Sequence, residues 1–155
     1  MNPTPKLLAL DLASTVGWAN YANGIIDSGS QAFKAKDGTH QGERYAQFHR
    51  WLSEKIRTDK PAQIAYEEAM GFFKSASAAQ IAYGFRGILM SLAAAHNIPC
   101  YGYVAPTVKK FWTGSGRADK DDMIAATLLK LPDVDLSDAN QADALAILHL
   151  HLSKL

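Results

Sequence analysis

An apolar segment near the N-terminus with a single acidic residue constrains the fold more than any other feature. Residues 7–12 read LLALDL, and Asp11 is their only polar member. A short apolar run bounded by Pro5 and by the Ala-Ser-Thr sequence at 13–15 is typical of a strand buried on both faces. A carboxylate in such surroundings needs a nearby cation or a raised pKa, because an unpaired buried charge is costly. The segment predicts a buried first strand with a chemically special acid.

The next thirty residues indicate an antiparallel hairpin. A second strand is predicted over Gly17–Tyr21, and a third begins at Ile25-Ile26 and continues towards Phe33. Between them lies Asn23-Gly24, the strongest short signal for a two-residue hairpin turn. Three antiparallel strands are therefore expected at the N-terminus.

Helices and strands then alternate along the chain. A loop is predicted over 34–42, followed by a helix whose apolar face consists of Tyr45, Phe48, Leu52 and Ile56. A strand from Ile64 into Glu67 and Glu68, a helix over 75–97 and a strand over 100–104 come next. Three further helices complete the chain: one with Pro106 in its first turn, one over about 119–131, and a last one capped by Ser137 or Asp138. This order predicts an α/β fold with a mixed sheet and helices on both faces.

Length and composition exclude several classes of protein. A chain of 155 residues suits one domain, and no apolar run is long enough for a membrane span. We expect no secretory signal, because the N-terminus lacks a basic segment followed by a long apolar stretch. The single cysteine, Cys100, excludes an internal disulfide and a Cys-rich zinc site, which suits a reducing cytoplasm. The net charge of +1 neither supports nor opposes nucleic-acid binding.

Three acids occupy apolar surroundings at the end or start of predicted elements. Asp11 lies in the first strand, Glu67 ends another apolar strand, and Asp143 lies near the apolar start of the last helix. Any one of them alone is more often a solvated or capping residue. Together they favour Mg²⁺, which prefers carboxylate oxygens, and two such ions about 4 Å apart can activate water and stabilise a leaving oxygen. Asn140 is three residues before Asp143, on the same helix face.

Three segments carry a resemblance to a known family. They are LALDLASTVGWA at 8–19, AYEE at 65–68 and NQADALAI at 140–147. In order and spacing they resemble the motifs of the RuvC crossover-junction resolvases. The resemblance spans essentially the whole chain. It implies one ribonuclease-H-like nuclease domain over residues 1–155, with a five-stranded sheet of three antiparallel strands followed by parallel ones.

The resemblance also implies an activity. The family resolves four-way (Holliday) junctions or related branched DNA by paired phosphodiester cleavage, as a homodimer that depends on Mg²⁺, for which Mn²⁺ can substitute. The source of the protein is left open between a bacterium, a phage and an organelle. We expect the protein in the cytoplasm of a bacterial cell, or in the host cytoplasm if the source is viral. The helix over 75–97 is a candidate dimer surface. Forks and flaps remain open as substrates.

Catalytic and metal-binding roles follow by position. Asp11, Glu67 and Asp143 match the family's acids. Strand alternation turns only one of Glu67 and Glu68 into the site, and the match to the family motif favours Glu67. Asn140 stands where the family has the earlier acid of its last pair. The fourth metal ligand is therefore left open between Asn140 and Asp138.

Basic and aromatic residues are candidates for contact with DNA. Lys109 and Lys120 match two lysines of the family and could stabilise charge on the scissile phosphate. The remaining candidates for DNA contact lie beside them or after Glu67, and they are Lys110, Arg117, Phe72, Phe73 and Lys74. Lysines on helices are usually solvated, and adjacent phenylalanines can simply pack. Ordinary solvent exposure or packing therefore remains an alternative to DNA contact for these residues.

Two other functions remain open. Asn140 favours a catalytically weak nucleic-acid-binding member of the same fold. The sequence DLAST at 11–15 resembles the phosphate loop of sugar-kinase and actin-like ATPases, although those proteins need a second lobe that this length does not provide.

Overall fold

The computed structural model describes residues 2–36 and 41–155. Its strands and helices follow the predicted order, and their bounds are β1 Leu7–Asp11, β2 Thr15–Ala22, β3 Ile25–Ala32, α1 Gly42–Asp59, β4 Gln63–Glu68, α2 Ala76–Ala95, β5 Cys100–Val104, α3 Ala105–Thr113, α4 Lys120–Lys130 and α5 Ala139–Leu152. The loop predicted over 34–42 is partly outside the described residues, at 37–40, and its last residue, Gly42, begins α1.

The five strands form one mixed sheet in the order β3-β2-β1-β4-β5. β1, β2 and β3 are antiparallel neighbours, whereas β4 is parallel to β1 and β5 is parallel to β4. Asn23 and Gly24 join β2 to β3 with φ angles of 52° and 83°, the left-handed pair that a type I′ hairpin turn requires. The predicted sheet is confirmed, including its change from antiparallel to parallel pairing.

Helices cover both faces of the sheet and create two cores. Leu8 and Leu10 point to one face, where they pack with apolar residues of α1 and α2. Leu7 and Ala9 point to the other face, where they pack with α3, α4 and α5. This arrangement follows from the alternation of side chains along β1, and it explains why that strand is apolar on both faces.

The topology also brings the acidic residues at the ends of two strands and the first residues of α5 to one edge of the sheet. β1 and β4 run parallel, so Asp11 and Glu67 both lie near the carboxyl ends of neighbouring strands. α5 packs across β1 and β2, and its first residues are at the same edge as Gly17 of β2. In the described ranges, none of the helices has the length and apolarity that a membrane crossing requires.

Candidate active site

The three predicted acids meet at the carboxyl edge of the sheet. Asp11 is only 8% exposed, and it interacts electrostatically with Glu67, Asp143 and Asp138. Glu67 and Asp143 also interact with each other. Side chains two positions apart on a strand point to the same face of the sheet. Ala9 and Ala65 pack on the face covered by α5, so Asp11, two residues after Ala9, and Glu67, two residues after Ala65, lie on that face as well.

Burial raises the pKa of each of these carboxyls, and repulsion by a neighbouring acid adds to the effect. The pKa of Asp11 is well above its usual value, chiefly because of burial and then because of Glu67 and Asp143. Burial, reinforced by Asp143, raises the pKa of Glu67 to about 7. Burial also raises the pKa of Asp143 to about 6, against the opposing influence of Lys109 and Lys120. Lys109 and Lys120 therefore offset only part of the effect of burial on these carboxyls.

The acids share an electrostatic environment without forming a ready-made ligand cage. Within residues 2–36 and 41–155, no three His, Cys, Asp or Glu side chains are grouped so that they could hold a metal ion. In the same ranges, Asp11, Glu67 and Asp143 make no ion pair. Lys109 and Lys120 act on these acids only electrostatically, without a direct ion pair within the described residues.

Two lysines approach the acids from α3 and α4. Lys109, half-buried on α3, lowers the pKa values of Glu67 and Asp143 electrostatically. Lys120, exposed at the start of α4, acts in the same way on Asp11 and Asp143. The structure therefore brings both predicted lysines near the acids, whereas Lys110 and Arg117 lie exposed beside them.

Asp138 caps α5, as the sequence predicts for this residue or Ser137. Its Oδ1 accepts from the backbone N–H of Gln141 at 2.8 Å, and its Oδ2 accepts from the Ser30 hydroxyl at 2.7 Å. Both oxygens are thus engaged in fixing the first turn of α5 to β3. Asp138 remains close enough to raise the pKa of Asp11 and Asp143.

Gln141 is a structural residue of the site that the sequence does not single out. It is buried in the first turn of α5, and its amide nitrogen donates to the Ser28 hydroxyl at 2.9 Å and to the Asp135 carbonyl at 3.1 Å. Its amide oxygen accepts from the Ser137 backbone N–H at 2.7 Å. The available signal was a polar side chain inside an otherwise apolar segment.

Gly17 permits the close approach of α5 to the sheet. A Cβ atom built on Gly17 would overlap the backbone carbonyl of Asn140 and lie 3.0 Å from the Gln141 nitrogen. Asn140 itself is half-buried at this contact, one turn before Asp143. The contact therefore couples the hairpin to the position of the last acid.

Glu68 points away from the three acids, as strand alternation predicts. Its Oε2 accepts from the Tyr66 hydroxyl at 3.0 Å, and its Oε1 pairs with Nη2 of Arg86 on α2 at 2.7 Å. The sequence does not identify Arg86, because nothing in the pattern of α2 indicates which strand residue it faces.

The two phenylalanines after β4 have different environments. Phe72 is 91% exposed, whereas Phe73 packs edge-on against Tyr83 of α2 with ring centroids 5.3 Å apart. Lys74 is exposed beside them. Of the two candidates for contact with DNA, Phe72 is therefore the one whose ring is accessible.

Comparison with known proteins decides the family. Residues 22–151 match the family model described as "Crossover junction endodeoxyribonuclease RuvC". A relative with that name from Rickettsia akari is 32% identical over 148 residues, which cover 91% of this chain and 92% of the relative. The chain belongs to the RuvC family. Another RuvC, from Pseudothermotoga lettingae, is 34% identical over 146 residues, covering 87% of this chain and 88% of its own.

Solved structures agree with this RuvC assignment at the level of the fold. The structure described as T. thermophilus RuvC in complex with Holliday junction substrate has a TM-score of 0.74 and 21% identity, covering 93% of this chain and 90% of its own. A yeast mitochondrial Holliday junction resolvase has a TM-score of 0.60 and 14% identity, covering 95% and 77% of the two chains. The ribonuclease-H-like fold predicted from the resemblance is confirmed.

The raised pKa values of this RuvC-family site predict an unusual pH dependence of stability. The folded state binds protons at Glu67 and Asp143 more tightly than the unfolded state, whose carboxyls titrate near pH 4. The free energy of unfolding should therefore fall, by several kcal/mol, as pH rises from about 4 to about 7 in the presence of chelator. Urea titrations across this range test the sign. A free energy of unfolding that rises over the same interval would contradict the raised pKa values.

Proposed function

We propose that this protein is a crossover junction endodeoxyribonuclease that cuts four-way or related branched DNA. The observation that carries the proposal is the meeting of Asp11, Glu67 and Asp143, from three separate elements, at one edge of the sheet beside two lysines. Family membership supports the same activity, and one similar structure is described as a complex with a Holliday junction substrate.

We propose Mg²⁺, or Mn²⁺ in its place, as the cofactor of this site. The donor set fits, because Asp11, Glu67 and Asp143 offer hard carboxylate oxygens that lack an ion pair among the described residues. Bound there, two such ions supply the charge that makes water a nucleophile and a phosphodiester oxygen a leaving group. The backbones that carry these carboxylates lie on adjacent elements, since β4 pairs with β1 and α5 packs against both strands.

Asn140 is the fourth ligand in this proposal. Asn140 lies on the same helix face as Asp143, three residues before it. Asp138 is the weaker candidate, because both of its oxygens are already used in capping α5 and binding Ser30. A neutral amide in this position leaves the site with one negative charge fewer than a second acid would give.

Basic residues around the acids account for contact with the DNA backbone. Lys109 and Lys120 lie near enough to the acids to offset charge on the scissile phosphate. Lys110, Arg117 and Lys74 are exposed in the adjoining segments and supply sequence-independent phosphate contacts. Phe72 supplies a fully accessible ring that can stack on an unpaired base.

Paired cleavage of a symmetric junction calls for a two-fold dimer, which we place on α2. This helix exposes Tyr83 (45%), Gly87 and Met90 (38%) along one stripe. The space above Gly87 is open, since a Cβ atom built there meets nothing within 4 Å. A small residue between two large apolar ones allows a second copy of the helix to approach closely.

Gly87→Arg should convert the dimer to a monomer, because the arginine would project a charge into the middle of this stripe. Sedimentation velocity measures the change, and a junction assay should show single nicks in place of paired cuts. Leu129→Arg on α4 is the matched control, since Leu129 is exposed and lies on another helix. A wild-type monomer, or a Gly87→Arg dimer, would contradict this dimer surface.

A second candidate is a catalytically weak DNA-binding member of the family, and Asn140 is the observation that favours it. The decisive experiment compares a four-way junction, a fork, a flap and linear duplex, each with Mg²⁺ and with chelator. We expect Mg²⁺-dependent cleavage of the junction and little or none of the duplex. Tight junction binding without cleavage under any divalent cation would instead support the second candidate.

A further inference from the structure

A cavity of about 230 Å³ lies next to the catalytic edge. It is bounded by the loop after β4 and by α2, and its lining includes Glu67, Glu68, Phe72, Phe73 and Arg86. Its volume suits one planar ring system and is below the usual range for drug-sized ligands. Glu67 contributes to both this cavity and the acidic site, so a group held here would lie beside the reacting phosphate.

Aromatic and apolar side chains form the walls. Phe73 is fixed edge-on against Tyr83, and Phe72 stands almost fully exposed at the mouth. Met70 and Ala82 complete the apolar part of the lining. A nucleobase displaced from a helix needs stacking surfaces of this kind, because stacking replaces its contacts with neighbouring bases.

The cavity also contains one charged pair with an unused hydrogen-bonding capacity. Arg86 and Glu68 are paired at 2.7 Å, yet their side chains remain 36% and 30% exposed. The Tyr66 hydroxyl donates a hydrogen bond to Oε2 of Glu68 and so holds the carboxylate in place. The absence of a side chain at Gly102 makes this position possible, because a Cβ atom built on Gly102 would overlap the same oxygen. The guanidinium has five N–H donors, and the ion pair leaves several of them available.

We propose that this cavity receives a single unstacked nucleobase beside the cut, and that Arg86 and Glu68 read its edge. Guanine matches the pair best, because on its Watson–Crick edge O6 accepts from an arginine while the adjacent N1–H and amino group donate to a carboxylate. The inference rests on the proposed junction-cleaving function and adds a source of sequence preference to it.

A purely structural role for the pair makes a different prediction. If Arg86 only fastens α2 to β4, its loss should lower the stability and the cleavage of all junctions alike. If the pair reads a base, its loss should change the ratio of cleavage rates among bases at one position. This ratio separates the two roles, because a general loss of activity cancels from it.

The test uses a panel of four-way junctions with each of the four bases at every position flanking the cut. Wild-type protein should prefer guanine at one position by roughly tenfold in kcat/KM. Arg86→Gln should reduce this preference to nearly onefold, and Glu68→Gln should reduce it partly. Arg50→Gln, a change at an exposed arginine of α1 outside the cavity, should keep the wild-type ratio.

Inosine in place of the preferred guanine tests the proposal without changing the protein. Inosine lacks the amino group, so wild type should cut it several-fold more slowly, whereas Glu68→Gln should treat the two bases alike. Equal cutting of all four bases by wild type, or an unchanged preference in Arg86→Gln, would overturn the base-reading role alone. Failure of wild type to cut any branched DNA would overturn the proposed function itself.

Discussion

Asp11→Asn is expected to reduce junction cleavage by about a thousandfold or more, because it removes a carboxylate from the centre of the acidic site. The same substitution should stabilise the metal-free protein at pH 7. Asp11 is buried and repelled by Glu67 and Asp143, so its charge opposes folding, and an amide of the same shape removes that charge. Single-turnover cleavage and chelator-buffered urea unfolding measure the two effects.

Asp133→Asn serves as the matched control, since Asp133 is an exposed carboxylate between α4 and α5. It should retain wild-type cleavage and wild-type stability. An Asp11→Asn protein that is less stable than wild type without metal would show that the carboxylate has a stabilising partner. An Asp11→Asn protein that still cuts junctions would remove Asp11 from the active site.

Gly17→Ala should destabilise the protein by about 3 kcal/mol, because the added methyl group would overlap the Asn140 carbonyl. Relief of the overlap requires α5 to move away from β2, and that movement carries Asn140 and Asp143 with it. Cleavage should therefore fall even under conditions in which the variant is fully folded. Thermal unfolding and junction cleavage at low temperature separate the two effects.

Gly87→Ala is the control for this prediction within the single chain, because α2 has open space at Gly87 and alanine favours a helix, and both variants are compared at concentrations at which the protein is monomeric. It should be neutral or slightly stabilising. If Gly17→Ala were equally neutral, α5 could not contact the hairpin as closely as described, and the coupling between Gly17 and the last acid would be lost.

The sequence was sufficient to predict the mixed sheet and to single out Asp11 as an unusual acid. Asp11 is prominent because it interrupts an apolar strand, and Asn23-Gly24 fixes the hairpin that precedes the parallel strands. These signals are local, since a strand's burial and a turn's backbone angles depend mainly on residues nearby in the chain. The proximity of Glu67 and Asp143 to Asp11 could not be predicted from such local signals, because the three residues are far apart in the chain. That prediction depended on the resemblance to the family.

The polar contacts between elements could not be predicted from the sequence. Gln141 bonds to Ser28 across 113 positions, and Ser30 bonds to Asp138 across 108. Arg86 meets Glu68 only because α2 packs on the face of β4 that Glu68 shares with Tyr66. Such pairs depend on the rotation and depth of packed helices, which apolar periodicity does not determine.

The convergence of the acids on a metal is tested most directly by diffraction from crystals soaked in Mn²⁺, with data collected at the manganese absorption edge. We predict an anomalous peak within bonding distance of the carboxylates of Asp11, Glu67 and Asp143, with the Asn140 amide oxygen turned towards it. A peak that lies elsewhere, or full Mn²⁺ occupancy in an Asp11→Asn crystal at the same position, would contradict the proposed metal site.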